Sequence, residues 1–508
     1  MARVLDVIHA FKEDVKNDAL PAVSYIIAPT RKSEHASNHP CAGEDWTAQL
    51  LEALSSNPAV YGKTAFILNY DEGGQFFDHA VPPTPPRSSA DGVSTVTTVG
   101  EINSEVETTV PQPVGMGFRV PIVVVSPWTR GKVVNSETFD HVSAIKMLEK
   151  RFGVSSPTLS PWRRAMVGDL MSFFNFEAPD YSWPSDLPDT SKYVIEGDIN
   201  CKTLPDPVIP AVQSMPKQEQ GVRISRALPY SFLVTDSGVD PKALTLGLTI
   251  VNAGAAGAPF YLYDVVNLPT ATPRKYAVEG GKLAVDSVPV VPSVSGSYSF
   301  VLNGPNGFVR EMSGSYVDTL CFGVGDVSLA YLPESGRVVL VFQPGVTTND
   351  VYYGVVDNAY GALGGEAITV FVDGADGRKV TQEVDVSKAG NWYDLTIAAI
   401  PAMKDGKPAL AGAALSEFLK TRGEGVRGPS SGGDSCYVRR FMGRMETGQD
   451  SISDPAMAAG LPGMWKKASE IPLLPDSVRF HKRLEDGRPL RGQGQGHKDS
   501  LLYNTEEL

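Results

Sequence analysis

Two adjacent carboxylates, Asp71 and Glu72, close the apolar run Phe66-Ile67-Leu68-Asn69-Tyr70, and Gly73-Gly74 follows at once. Within a regular strand neighbouring side chains point to opposite faces. At a strand exit that constraint relaxes, so both acids can converge on one hard cation through oxygen ligands. Two solvated loop acids are the plainer alternative. His35 ends the stretch TRKSEH, while His79 and His141 each follow a Phe-Asp pair, in FFDHA and TFDHV. A histidine beside a cation can orient or protonate a leaving oxygen because it titrates near neutrality. Taken singly, each of them is more often a hydrogen-bonded structural residue, and His39 reads as a surface loop residue. The chemistry suggested is a metal site at a sheet edge. No P-loop or H-E-x-x-H motif occurs to suggest anything else.

Three short runs must position these groups: VSYIIA (23–28), TAFILN (64–69) and PIVVVS (121–126). They lack polar alternation, as strands covered on both faces do. Helical patterns lie around them: Val4, Ile8, Phe11 and Val15 recur at helical spacing, EDWTAQLLEAL (44–54) opens on acids, and SAIKMLEKRF (143–152) ends on bases. The alternation predicts an open α/β sheet, in which ligands bind at the carboxyl ends of strands. His35, seven residues beyond the first run, then shares an edge with Asp71. Sheets average about 5–6 strands, so three make only part of one.

The chain has 508 residues, enough for two to four domains. A net charge of -13 argues against generic nucleic-acid binding, which needs a basic face. Small phosphorylated substrates stay open, because a metal ion can dominate the local field. Four widely spaced cysteines, Cys41, Cys201, Cys321 and Cys436, offer no C-x-x-C pair, which speaks against a zinc knuckle or a disulfide scaffold. The run VPIVVVSPW (120–128) is too short to span a membrane, and the first residues lack the apolar stretch of a signal peptide.

Residues 177–222 are proline-rich and aperiodic and read as a linker or strap. Beyond them short strand patterns alternate with Gly, Asn and Pro turns, which predicts all-β structure. The pattern Gly296-Ser297-Tyr298-Ser299-Phe300-Val301 returns as Gly390-Asn391-Trp392-Tyr393-Asp394-Leu395. Phe308-Val309-Arg310 with Gly314 returns as Tyr437-Val438-Arg439 with Gly443. Two tandem sandwich-like domains are expected, at 223–316 and 317–457. The second carries an insertion near 400–434, and a partly disordered tail spans 458–508.

The motifs LPAVSYIIAPTRKSEH (20–35), NYDEGGQFFDHAVPPTPP (69–86), GFRVPIVVVSPWTRG (117–131), SETFDHVSAIKMLEKRFGV (136–154) and SPWRRAMVGDL (160–170) fall in one order. Together they resemble the bacterial-type phosphocholine-specific (non-haemolytic) phospholipase C family, related to acid phosphatases within the alkaline-phosphatase-like superfamily. RALPYSFLV, NGPNGFVREMSG and YVRRFMGRMETGQDSISDPAM resemble the two C-terminal β domains of the phospholipase C branch, and the resemblance runs from about residue 5 to 457. It implies a partial alkaline-phosphatase-like open sheet at 1–176 followed by the two β domains. It also implies a divalent metal ion at Asp71 and Glu72, His35 lining a phosphate pocket, and His79, with a weaker carry-over, in the following loop. The implied substrate is a phosphocholine lipid, phosphatidylcholine or sphingomyelin, met in transient contact with a membrane surface. The implied route is a metal-activated hydroxyl attacking phosphorus, with water releasing phosphocholine from a phosphoenzyme. Family members are usually exported. The family's N-terminal Glu-Asn-Arg-Ser-Phe-Asp-type metal segment and its hydroxyl nucleophile have no counterpart here. A weakly active or inactive partial enzyme is therefore expected, and a non-catalytic protein binding lipid or glycan through its β domains is the alternative.

Overall fold

Residues 6–458 are described by a computed structural model, apart from 75–77, 79, 104–110, 186, 207, 210, 212–220, 268–271, 294–295, 318–323, 346–349, 401–407, 409–413, 418 and 420–436. His79, most of the expected insertion and nearly all of the tail lie outside the described residues.

Helix α1 (Val7–Lys16) starts where the Asp6 carboxylate accepts the His9 N–H at 3.0 Å. Its apolar stripe turns Phe11 and Val15 onto Trp46, Leu50 and Leu54 of α2 (Cys41–Ser55). The short α3 (Pro58–Tyr61), capped by Asn57, leads into β1 (Phe66–Asn69). β2 (Gly92–Ser94), β3 (Ile102–Asn103) and β4 (Gln112–Pro113) follow, then β5 (Ile122–Val125). α4 (Val142–Phe152) ends at the left-handed Gly153, and α5 (Pro161–Met166) is capped by Ser160.

Three expectations are corrected here. The run 23–28 is extended but forms no assigned strand. β1 and β5 pair antiparallel, Phe66 opposite Val125 and Asn69 opposite Ile122, as a two-stranded sheet. Neither is covered on both faces, since Val123 and Asn69 stand exposed. The β-branched runs match buried parallel strands in composition, but the structure covers one side only. The stretch 177–222 also contains a helix, α6 (Ser191–Thr203), which packs on α2 through Thr190–Asp45 and His39–Asp198 contacts.

The β region begins with β6 (Ile224–Ser225), β7 (Phe232–Asp240), β8 (Thr245–Asn252), β9 (Ala258–Asp264) and β10 (Arg274–Val278). β11 (Lys282–Pro289), β12 (Ser297–Asn303) and β13 (Val309–Ser315) complete its first half. The second half holds β14 (Val327–Leu332), β15 (Arg337–Phe342), β16 (Val351–Asp357), β17 (Ile368–Val372), β18 (Val380–Asp385), β19 (Trp392–Ile400), β20 (Tyr437–Arg444) and β21 (Ser451–Ile452). A nine-stranded sheet, β17-β16-β19-β20-β13-β12-β9-β10-β2, runs through both halves. The sheets β11-β8-β7 and β14-β15-β18 accompany it, and a separate core fills each half, around Phe260, Leu248 and Phe300 in one and Leu340, Tyr353 and Ile397 in the other.

The halves join by β13 pairing with β20, where Glu311 stands opposite Arg440. The repeat that relates Phe308-Val309-Arg310 to Tyr437-Val438-Arg439 also relates those two residues, so a local two-fold passes between them. The arginines obey it. Arg310 Nη1 donates to the Val309 and Met442 carbonyls, and Arg439 Nη1 donates to those of Val438 and Ser313. Each guanidinium lies 4.0 Å from the ring two residues before it, Phe308 or Tyr437.

The α/β part is fastened to this β body. β2 pairs in parallel with β10, and a Cβ on Gly92 (φ 147°) would lie 1.8 Å from the Lys275 carbonyl, so only glycine admits the approach. The proline cluster after β1 docks through Thr84 N–H, which donates to the Tyr261 hydroxyl at 2.9 Å. Trp162 and Met166 bury against Ala277.

Candidate functional site at the exit of the first strand

Tyr70 is the hinge of the site. As the chain leaves β1, its N–H still reaches the Pro121 carbonyl at 3.3 Å. Its phenol lies close enough to the Glu34 carboxylate for that charge to act on it. Burial first, then Glu34 and the charge of Glu44, push the phenol up to about 12. Glu34 lies tightly under the first turn of α2, where a Cβ on Gly43 would sit 2.4 Å from its Cγ. From the other side His141 Nε2 donates to the Tyr70 carbonyl at 2.9 Å. Three segments distant in sequence, the loop after residue 28, the exit of β1 and the start of α4, therefore meet at one residue.

Asp71 and Glu72 follow Tyr70 directly, and both are exposed. Their oxygens suit a hard cation, but such an ion takes about six ligands. Among the described residues no three His, Cys, Asp or Glu side chains come together to hold one. The donor type fits a hard cation, and among the described residues the donor number does not.

His35 is exposed on the same loop as Glu34. Its Nδ1 lies 2.8 Å from the Ser37 hydroxyl and accepts the Ser37 N–H at 3.1 Å, which fixes the ring from that side. The structure thus brings the His35 loop to the root of the acidic pair through Glu34 and Tyr70. His141 occupies the N-cap position of α4. His39 is corrected: its side chain is only 14% exposed, with Nε2 3.2 Å from Asp198 and the ring against Gly197, so it seats α6 on α2.

The two Phe-Asp-His motifs share a structural logic in their aspartates. Asp78 accepts two bonds from the Arg119 guanidinium, at 2.7 and 2.8 Å, which ties the loop after β1 to the approach into β5. That guanidinium holds the Asp78 carboxyl well below the usual carboxylate range. Asp140 caps Val142 at 2.8 Å and pairs with Arg163, whose Nε lies 2.8 Å from the buried Glu101. Glu34, Tyr70 and Glu44 were not singled out from the sequence. Their only signal is adjacency to residues that were, because a tyrosine and a glutamate in loops carry no spacing rule.

Residues 2–155 match the phosphoesterase family, and residues 224–315 match the bacterial phospholipase C C-terminal domain. The chain is 38% identical over 467 residues to the non-hemolytic phospholipase C of Pseudomonas aeruginosa, covering 89% of this chain and 60% of that protein. It is 38% identical over 453 residues to the non-hemolytic phospholipase C of Burkholderia pseudomallei, covering 88% and 58%. Over 220 residues it is 41% identical to phospholipase C B of Mycobacterium tuberculosis, covering 41% and 42%. The chain thus spans about three-fifths of the length of the first two relatives.

Proposed function

We propose that this chain, whose residues 2–155 match the phosphoesterase family and residues 224–315 the bacterial phospholipase C C-terminal domain, carries part of a phosphodiester-cleaving site acting on phosphocholine lipids. In this reading the α/β part is a portion of an alkaline-phosphatase-like sheet, and phosphatidylcholine, with sphingomyelin as the variant, yields phosphocholine. The supporting observation is the junction at Tyr70. It places the Glu34–His35 loop and His141 beside the strand exit that carries Asp71 and Glu72.

In this reading Asp71 and Glu72 would be the carboxylates that hold a divalent ion near the phosphate. His35, held through Nδ1, and His79 supply hydrogen bonds or a proton to phosphate oxygens. Glu34, packed against Gly43 and beside Tyr70, positions the His35 loop. The hydroxyl nucleophile has no counterpart in this chain, so the chain alone releases at most a trace of phosphocholine.

The test is a covalent chimera in which this chain replaces the matching part of the Pseudomonas aeruginosa relative. Phosphocholine release that Asp71→Asn abolishes supports the reading. A folded chimera with no turnover, or one indifferent to Asp71→Asn, overturns it. The second reading, a non-catalytic lipid- or glycan-binding protein, draws support from the exposure of both acids and the lack of a three-ligand cluster among the described residues. An inactive chain that still sediments with phosphatidylcholine vesicles would favour it.

A further inference from the structure

Four arginines are buried among the described residues: Arg226, Arg310, Arg439 and Arg444. Three of them meet carboxylates, Arg226 at Asp450, Arg439 at Asp236 and Arg444 at Glu446. Arg310, only 3% exposed, meets none among the described residues. Its Nη1 donates to two carbonyls, and its Nη2 donates to the hydroxyls of Tyr331 at 3.1 Å and Tyr393 at 2.9 Å. The rings of Phe308, Phe441 and Tyr393 lie 4.0, 5.3 and 5.5 Å from the guanidinium. Such rings soften a buried charge without cancelling it. Arg439, the counterpart across the local two-fold, has Asp236 where Arg310 has two phenols.

The hydrogen bonds are unbalanced in the same sense. Tyr331 and Tyr393 bring two O–H groups, and their oxygens lie 2.8 Å apart. One hydrogen makes that bond. The other finds no acceptor among the described residues, since Arg310 only donates.

Tyr331 and Phe308, both in contact with Arg310, line a recess of about 40 Å³ between the two β halves. Leu228 and Phe232 add apolar wall, and the turns at Asn306 and Pro333, one from each half, form part of the lining. Glu446 is the one carboxylate on this wall. Arg444 binds both of its oxygens and the Leu228 N–H takes a further bond, so that charge is already spent. One positive charge and one O–H are left over. A water needs about 10–15 Å³ on this measure, so the recess admits three or four heavy atoms.

We propose that this recess binds a small monocarboxylate, whose oxygens accept the free phenol O–H and give Arg310 the countercharge it lacks, with its apolar body against Phe232 and Phe308. Water would satisfy the hydroxyl but not the charge, and a cation would add to the imbalance. A neutral amide brings an acceptor without the charge. None of the lining residues belongs to the strand exit at Asp71 and Glu72, so the site stands apart from the reading under Proposed function.

The test titrates the whole chain with acetate and propionate near neutral pH, read by saturation-transfer NMR, with acetamide and inorganic phosphate alongside. Saturable carboxylate binding with a Kd below about 10 mM is expected, at least about tenfold tighter than acetamide or phosphate. Tyr331→Phe, which keeps the ring and deletes the hydroxyl, should weaken it at least about tenfold, and Arg310→Met should abolish it. Tyr331→Phe alone carries the test if Arg310→Met does not fold. Asp71→Asn should leave binding unchanged. No saturable binding below about 10 mM, acetamide or phosphate binding as tightly as acetate, indifference to Tyr331→Phe, or loss with Asp71→Asn would each overturn the proposal.

Discussion

Asp236→Asn isolates the junction between the two β halves. Arg439 of β20 is 2% exposed at its side chain and Asp236 of β7 is 7%, joined by bonds of 2.9 and 2.6 Å. Burial works against the arginine's charge. Asp236 first, then Tyr298 and Tyr437, overrides it and holds the guanidinium firmly protonated. Removing one member of such a pair typically costs about 3–5 kcal/mol, because the other charge stays buried. Here a third charge intervenes. Asp326 feels both Asp236 and Arg439, and burial reinforced by Asp236 raises it to about 6. Asp326 is already ionised at pH 8, and with Asp236 neutral it sheds their repulsion while keeping its attraction to Arg439, so Asp236→Asn alone should cost about 3 kcal/mol. Asp236→Asn with Asp326→Asn should cost about 5 kcal/mol, more than the two single changes together. Urea unfolding followed by Trp392, the only tryptophan between residues 223 and 457, reads these differences. A cost below about 1 kcal/mol for the single change, or strict additivity in the double, would refute the shared-counterion reasoning.

Asp326→Asn should act alone in the opposite direction. The folded carboxyl keeps its proton to about pH 6, whereas an unfolded one releases it near 4, so wild-type stability falls as pH rises across that window. The variant should lose this slope and gain about 1–2 kcal/mol at pH 7, allowing for partial solvent access, as pH-dependent urea melts would show. Asp78→Asn should behave inversely. Arg119 depresses the Asp78 carboxyl, so the pair stabilises above about pH 4 and the benefit fades as pH drops further. With Arg119 largely exposed, the variant should cost about 0.5–1 kcal/mol at pH 7 in thermal melts, a cost that shrinks as the pH falls below about 4. Gly92→Ala should push β2 off β10, because the new Cβ meets the Lys275 carbonyl at 1.8 Å. A loss of about 3 kcal/mol and new proteolytic cutting at residues 88–100 are expected.

Where periodicity reported on local packing, the sequence was legible. The stripes that predicted helices at 44–54 and 143–152 became α2 and α4 with their ends within a few residues. The repeat seen in Arg310 and Arg439 became a local two-fold, because the same neighbours recur around both guanidinium groups. Strand pairing was not legible. Residues 23–28 and 121–126 are alike in composition, yet one finds a partner and the other finds none among the described residues, since pairing depends on distant chain. α6 was hidden because its hydrophobic residues follow no single stripe, and Val194 alone of its valines and isoleucines is not exposed. At the candidate site the acidic pair was visible by type and spacing. Tyr70 and Glu34 were not, because their proximity joins two loops distant in sequence, which no local rule announces.

The most direct measurement is phosphocholine release from phosphatidylcholine vesicles by the covalent chimera, with Asp71→Asn and Glu72→Gln alongside. Both acids are exposed, so neither change should alter the melting temperature. Turnover should fall at least about a hundredfold in each, a barrier increase of about 2.7 kcal/mol. Turnover within about twofold of the parent in both variants would contradict the account, because the pair would then take no part in the chemistry.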